Sequence, residues 1–348
     1  MRSHWIAVAV SEEVSSERPL AVIAAGREFA IYRDANGVVR AVDDECPHRR
    51  VPLSLGKIIN GSIRCAYHGW TFDGESGRCV SVPNFDDSER ISPNFRVQAH
   101  QVIEQDGFVY LSPEVLSSQL ESADIDSSDR KEALLPFSEK SAAESASYEN
   151  SDQKSDENTS SDISSDIAIE TYGSGVAPLN FSAYRSALLD GPQALFNIAG
   201  VRFTDFFQGN AAVSGNHIVI DREAEWGAAT KKETVSAVDR PLLLRTELWR
   251  NELSSLSGSI AYRLFDENEN QLAQLLMSFT QGKRNTSSFC WRFRKYKKFA
   301  HAQPIMQRIK CQLSGAYKNP VTVNSILDGH AMTALIVSVS HDCEALLL

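Results

Sequence analysis

Short runs of apolar residues, broken by glycine turns and lacking a helical period, make up most of residues 1–111. "EFAIYRDANGVVRAV" sets two alternating runs about Asn36-Gly37, and "GKIINGSIRCAYHGWTF" repeats the device at Asn60-Gly61. An Asn-Gly pair between such runs is a strong hairpin signal, because both turn residues must take positive φ. "DGESG" at 73–77 adds a third turn. The pattern predicts a small antiparallel all-β domain over residues 1–111.

The texture changes at Ser112. Residues 112–170 hold sixteen serines and fifteen Asp/Glu against four Lys/Arg. With few large apolar side chains, such a segment cannot bury enough surface to offset its ordering entropy. It reads as a flexible acidic linker, in which "EALLPFSEK" is the one piece able to dock on a neighbouring surface. From residue 171 to 348 the apolar pattern returns. "HIVIDREAEW", "LLLRTELWR", "GSIAYRLFDENENQLAQLLMSFTQG" and "SSFCWRFRKYKK" read as strands, with a turn at Asp266–Asn270. "NFSAYRSALLDG" and "QPIMQRIKCQLSG" read as helices. The expectation is an α+β domain of helix-grip type, with helices on one side of an antiparallel sheet.

Charge and composition change this picture little. The chain has 348 residues and a net charge of −10. The acidic linker accounts for that charge, so the remainder is close to neutral. The apolar run Trp5–Val10 is too short for a secretory signal or a membrane span. Six cysteines without a dense framework fit a reducing compartment, and the expected location is cytoplasmic, away from membranes. The basic run "WRFRKYKK" at 291–298 alternates at period two, which suggests a half-buried strand with a solvated basic face rather than a nucleic-acid stripe.

The candidate chemistry lies at Cys46, His48, Cys65 and His68. Two thiolates and two imidazoles can hold one tetrahedral zinc ion. They can also hold a Rieske [2Fe–2S] cluster, in which two histidines replace two cysteines on one iron. Each loop here contributes one Cys and one His, which puts two sulfurs on one iron and two nitrogens on the other. Gly69, Gly74 and Gly77 are expected to let backbone N–H groups approach the sulfides. Cys79 lies outside both loops and reads as a packing residue.

"CPHRRVPLSLG" followed by "IRCAYHGWTFDGESGRC" resembles the Rieske domain of the Rieske non-haem iron oxygenases, in their vanillate/dicamba demethylase-like or ring-hydroxylating branches. The motif is C-x-H-x16-C-x2-H, with Arg49 after the first pair and Gly69-Trp70 after the second. Respiratory Rieske proteins carry an extra cysteine in each loop; here Arg49 and Arg50 occupy that region of the first. The resemblance implies Cys46 and Cys65 on one iron and His48 and His68 on the other. It also implies oxidation of a small organic substrate with O2. No nicotinamide or flavin fingerprint is present, since "YGSGVA" at 172–177 lacks a third glycine. Electrons must therefore come from a separate reductase or ferredoxin.

In this family the cluster serves a mononuclear Fe(II), held by a 2-His-1-carboxylate triad in a neighbouring subunit of a trimer. "YLSPE" at 110–114, "ALLDGPQALFNIAG" at 187–200 and "LLMSFTQGKRNTSSFCWRFRKY" at 275–296 resemble landmarks of its catalytic domain. On the family pattern Asp190 is the electron-transfer bridge between cluster and iron. The asparagine position is Ala187, and the two histidine positions are Gln193 and Ile198. Isoleucine has no donor atom, glutamine is a poor ligand, and Pro192 disturbs the helix. No histidine occurs between His100 and His217, so no shift of register restores the ligands. Asp342 can take the carboxylate position. His330 and His341 would lie about 16 Å apart on one helix, too far to share an ion; His217 and His301 are isolated. Three readings follow: an oxygenase component, an electron-transfer or structural accessory chain without mononuclear iron, or a pseudo-enzyme. The second fits a hetero-oligomer with an intact oxygenase subunit, the first a homotrimer.

Overall fold

The computed structural model describes residues 5–83, 85, 91–112, 137, 167–190, 201–203, 210–214, 217–226, 242–250 and 256–297. The N-terminal part is built of eleven short strands. They are β1 (Ile6–Val10), β2 (Leu20–Ala24), β3 (Arg27–Arg33), β4 (Val39–Asp43), β5 (Lys57–Ile59) and β6 (Ser62–Arg64). Then follow β7 (Thr71–Phe72), β8 (Cys79–Ser81), β9 (Ala99–His100), β10 (Val102–Gln105) and β11 (Phe108–Leu111). They form three antiparallel sheets, ordered β1-β11-β10, β2-β3-β4-β9 and β5-β6-β7-β8. The Asn-Gly turns stand where the sequence sets them. Asn60 and Gly61 have φ of 50° and 78° between β5 and β6, and Gly37 has φ of 78° between β3 and β4.

Strand β3 explains how the site is backed. Its successive side chains point to opposite faces, and both faces are covered. Phe29 and Ile31 join one core with Val22, Val39, Ala41, Val109 and Leu111. Ala30 and Tyr32 join another with Val42, Leu53, Ile63 and Phe72, and that second core contains Cys46 and Cys65. The two candidate thiols are thus rooted in the domain interior.

The C-terminal part is one long antiparallel sheet with a helix against it. Its elements are β12 (Ile167–Ala177), helix α1 (Phe181–Asp190), β13 (Val201–Phe203), β14 (Asn210–Ser214), β15 (His217–Trp226) and β16 (Leu243–Arg250). β17 (Ser257–Phe265), β18 (Gln271–Gln281) and β19 (Ser287–Tyr296) complete it. The order is β12-β19-β18-β17-β16-β15-β13, with β14 also on β15. Asn180 opens α1, its Oδ1 accepting from the Ala183 N–H at 2.9 Å. Phe181, Tyr184, Leu188 and Leu189 pack on Tyr262, Phe279, Phe289 and Phe293 of the sheet. β12 begins at Ile167, so the sheet takes in the end of the acidic segment. The expected helix "QPIMQRIKCQLSG" lies outside the described residues.

The opposite face of this sheet carries the N-terminal domain. Trp5, Ala7, Val10, Phe108 and Tyr110 share a core with Ala261, Leu276 and Cys290. Phe137, from "EALLPFSEK", is buried in that same core, with its ring 5.1 Å from Phe108 and 6.0 Å from Trp249. The docking expected of that piece is observed at this residue.

The basic strand β19 departs from expectation. Arg292 is 2% exposed, and Arg294, next on the same face, has its side chain 22% exposed, so the basic face is largely covered rather than solvated. Arg292 pairs with Glu12 and with Glu170 and donates to the Gly107 carbonyl at 2.8 Å. Period-two alternation identified the strand, but a second domain covers the face that the pattern assigns to solvent.

Gly77 and Gly74 also serve a different purpose from the one expected. At Gly77, φ is 70° and an added Cβ would stand 2.0 Å from the Val97 carbonyl oxygen. At Gly74 it would stand 2.2 Å from the Tyr32 hydroxyl. Both glycines admit close backbone packing of the domain. Gly77→Ala should cost at least about 2 kcal/mol, combining a strained φ with a backbone clash. Urea denaturation checks this; an unchanged midpoint would refute the packing role.

Candidate metal centre

The four candidate ligands sit on two loops that close in the same way. The first runs from β4 to β5. Its Cys46 N–H donates to Val51 O at 2.9 Å, and the Arg50 N–H donates back to Cys46 O at 2.8 Å. The second runs from β6 to β7. Its Cys65 N–H donates to Trp70 O at 2.8 Å, and the Gly69 N–H donates back to Cys65 O at 3.2 Å. In each loop the residue four after the cysteine has positive φ, 58° at Arg50 and 71° at Gly69. Matching backbone turns therefore present the two cysteines. The first loop has a further anchor in Asp44, which is buried and accepts from the Ser54 N–H and hydroxyl, both at 2.6 Å.

The pairs differ sharply in environment. Cys46 and Cys65 are 2% and 4% exposed, whereas His48 and His68 are exposed. The two imidazole centroids are 4.7 Å apart. His48 stacks on Trp70 at 4.6 Å and 5°, and Trp70 in turn packs on Phe95. Tyr67 lies against His68. Burial pushes the Cys46 thiol up to about 11, and hydrogen-bond contact with Cys65 adds to this. The N–H groups of His48 and Arg49 point at that sulfur and act in the opposite sense. Desolvation, together with His68 and Arg49, holds His48 below its ordinary value.

This donor set fits a two-iron cluster better than one zinc ion. The thiols adjoin each other and the imidazoles adjoin each other. Yet among the described residues no three of Cys, His, Asp or Glu gather as they must around a single ion. In a Rieske cluster each iron needs only two protein ligands. The buried N–H groups aimed at sulfur also suit a negatively charged iron–sulfur group.

The other candidates fare differently. Asp190 is the last residue of α1. The end of that helix is gripped from the sheet: Arg222 Nη2 donates to Leu189 O at 2.7 Å, and Tyr262 Oη to Leu188 O at 2.8 Å. Arg222 is fully buried and supplies positive charge at the helix C-terminus. Sequence reading missed both residues, because period-two alternation marks them only as inward-facing. Gln193, Ile198, His301, His330, His341 and Asp342 lie outside the described residues. His217, isolated in the sequence, is half-buried and stacks on Trp249 at 4.9 Å. Its buried Nε2 has no hydrogen-bond partner among the described residues. Burial, with Arg263 and Arg245 nearby, lowers its pKa to about 4, so it is neutral at pH 7.

Cys79 is buried in the core beside Cys46 and Cys65, its Sγ 3.5 Å from Ser81 O, which agrees with a packing role. Among the described residues no helix is long and apolar enough to cross a membrane.

Comparison with known proteins places these loops. Residues 4–98 match the family described as the Rieske [2Fe-2S] domain. The oxygenase component of dicamba O-demethylase from Stenotrophomonas maltophilia is 40% identical over 113 residues, 32% of this chain and 32% of that protein. Protein TIC 55 of Arabidopsis thaliana is 35% identical over 107 residues, 31% of this chain and 20% of that protein. The matched segment thus spans about a fifth to a third of these relatives. Over nearly the whole chain the fold is similar to that in the crystal structure of dicamba monooxygenase bound to dicamba. The TM-score is 0.59 at 18% identity, covering 99% of this chain and 97% of the other.

Proposed function

From a chain that carries a Rieske [2Fe–2S] domain on the fold of a Rieske non-haem iron oxygenase component, we propose a Rieske-type oxidoreductase. It is an oxygenase component that takes electrons from a separate reductase or ferredoxin for the O2-dependent oxidation of a small organic substrate. The observation that carries this reading is the pair of matching loops, with thiols buried and imidazoles exposed. Cys46 and Cys65 would hold one iron of the cluster, and His48 and His68 the other. Bound there, the cluster supplies one-electron transfer close to the protein surface.

The surrounding residues make that transfer directional. Asp44 and Ser54 fix the first loop, and the His48 and Arg49 N–H groups stabilise charge on the Cys46 sulfur. Trp70 shields one face of His48, leaving the imidazole edges as the exposed route outward. On the family pattern Asp190 would be the bridging residue, and Arg222 and Tyr262 hold the end of the helix on which it stands. The setting is cytoplasmic, and the assembly is a homotrimer or a hetero-oligomer.

One observation favours a second reading, an electron-transfer or structural accessory subunit beside an intact oxygenase chain. Gln193 and Ile198 stand at the two family histidine positions. They do not fit a mononuclear Fe(II) site, and no oxidation step is assigned to an iron on that helix.

Iron and acid-labile sulfide, counted per chain after anaerobic reconstitution, test both readings. Two irons with two sulfides are the formula expected of the cluster alone, and that result supports the accessory reading. A third iron places the oxidation in this chain. Protein without sulfide refutes both.

A further inference from the structure

Strand β4 delivers the chain to the first ligand loop, and its end is held from both sides. Successive side chains of a strand point to opposite faces. Val42 enters the core that contains Cys46 and Cys65, whereas Ala41 enters the core of Phe29 and Ile31. Asp44 follows Val42 and is the buried anchor of Ser54. Asp43 follows Ala41 to the other side, where its Oδ1 accepts from Arg27 Nη2 at 3.1 Å and meets His100 Nε2 at 2.8 Å. A carboxylate only accepts, so Nε2 carries the proton of that bond. The main chain is tied as well, the Asp43 N–H to Gln98 O at 2.9 Å and the Asp44 N–H to Glu28 O at 3.1 Å.

His100 is an unusual choice for its place. Its side chain is 5% exposed, and its ring stands edge-on to Phe29 with centroids 5.2 Å apart. It belongs to the two-residue strand β9, opposite Ala41 of β4. An apolar ring would serve packing there at lower cost, since a buried polar group is unfavourable unless it is hydrogen-bonded. The imidazole is instead spent on Asp43, three residues before Cys46. At Cys46 the loop begins its closing turn, and the His48 and Arg49 N–H groups point at the sulfur. The direction in which β4 releases the chain therefore sets where those N–H groups stand.

We propose that His100 is a positioning residue for the first ligand loop: through Asp43 it fixes the end of β4, and thereby the N–H groups that face the Cys46 sulfur. The proposal rests on the [2Fe–2S] reading above. Reduction adds one electron to the cluster and makes or breaks no bond, so the reduced form carries one more negative charge. Hydrogen bonds to the sulfurs favour that form and help to set the potential of such clusters. Loosening the end of β4 weakens those bonds, and the cluster becomes harder to reduce.

The test uses full-length, cluster-bearing protein in a mediated dithionite titration, poised at the wild-type midpoint and read by visible absorbance and EPR. His100→Phe keeps an aromatic ring beside Phe29 but cannot donate to Asp43. Its ratio of reduced to oxidised cluster should fall about threefold, about 30 mV for one electron, with shifted g values. His100→Gln keeps a donor and should bring both readouts back to near wild type. Asp43→Ala removes the other half of the bond at a partly exposed position, and should shift the g values in the same way. Wild-type ratio and g values in His100→Phe, with only a lower melting temperature, overturn the proposal and leave His100 a packing residue. His100→Gln behaving as His100→Phe overturns it too, because the ring and not the hydrogen bond would then matter. If His100→Phe does not fold, wild-type g values in Asp43→Ala decide against the proposal. Wild-type protein that never acquires iron and sulfide fails at the earlier step and sinks the cluster reading instead.

Discussion

Cys46→Ser should yield a colourless protein without the visible absorption or the reduced-state EPR signal of a [2Fe–2S] centre. The buried Cys46 sulfur touches Cys65 and receives the N–H groups of His48 and Arg49. A serine hydroxyl there is a harder, shorter donor that ionises far less readily than a thiol. The effect should be near-complete loss of bound iron, because the cluster has only four protein ligands. Cys79→Ser is the matched control. Cys79 shares the core with Cys46 and Cys65 but faces Ser81 O, so that variant should keep its colour and lose only some stability. Full colour in Cys46→Ser would remove Cys46 from the ligand set.

The double variant Glu12→Gln/Glu170→Gln should be less stable by about 2–3 kcal/mol, somewhat under the ~3–5 kcal/mol for stripping a fully buried cation of its partner. Arg292 sits between the domains with its side chain 3% exposed, against carboxylates that are 39% and 32% exposed. The glutamines keep hydrogen-bond acceptors but leave the guanidinium charge uncompensated. The discount from the full range reflects partial solvation of both glutamates. A pH dependence follows with a definite sign. Burial alone raises the Glu170 carboxyl, but its bonds to Arg294 and Arg292 outweigh this and hold it below its ordinary 4.5. A carboxylate depressed in the folded state contributes stability above its unfolded value, and loses it as pH falls through the folded one. Wild-type melting temperature should therefore drop on acidification below about pH 4.5, and the double variant should show a flatter acid limb. Parallel acid limbs in the two proteins would show that Glu170 is not the group responsible.

These two predictions draw on different sources. Cys46 was legible in the chain: C-x-H-x16-C-x2-H is a local signal, set by backbone turns of a few residues that close on themselves. The Asn-Gly hairpins were legible for the same reason: at Asn60-Gly61 both residues take the positive φ that selects those types, and at Asn36-Gly37 the glycine does. The strands of the long sheet followed from alternation, and the loss of ligand types at Gln193 and Ile198 from identity alone.

Arg292 was not legible. Its partners lie 280 and 122 positions away in the chain, and period-two alternation cannot say whether a polar face meets water or another domain. The same holds for Arg222 and Tyr262, whose hydrogen bonds to the end of α1 join groups 33 and 74 residues apart. Residue identity and short-range turn chemistry determined the cysteine–histidine constellation and the β character of the chain. Tertiary packing alone decided that the thiols are buried while the imidazoles are open, that two loops close alike, and that Arg292 of β19 is enclosed. Burial and electrostatic environment are properties of what comes to lie alongside a side chain, and that is settled only when distant segments meet.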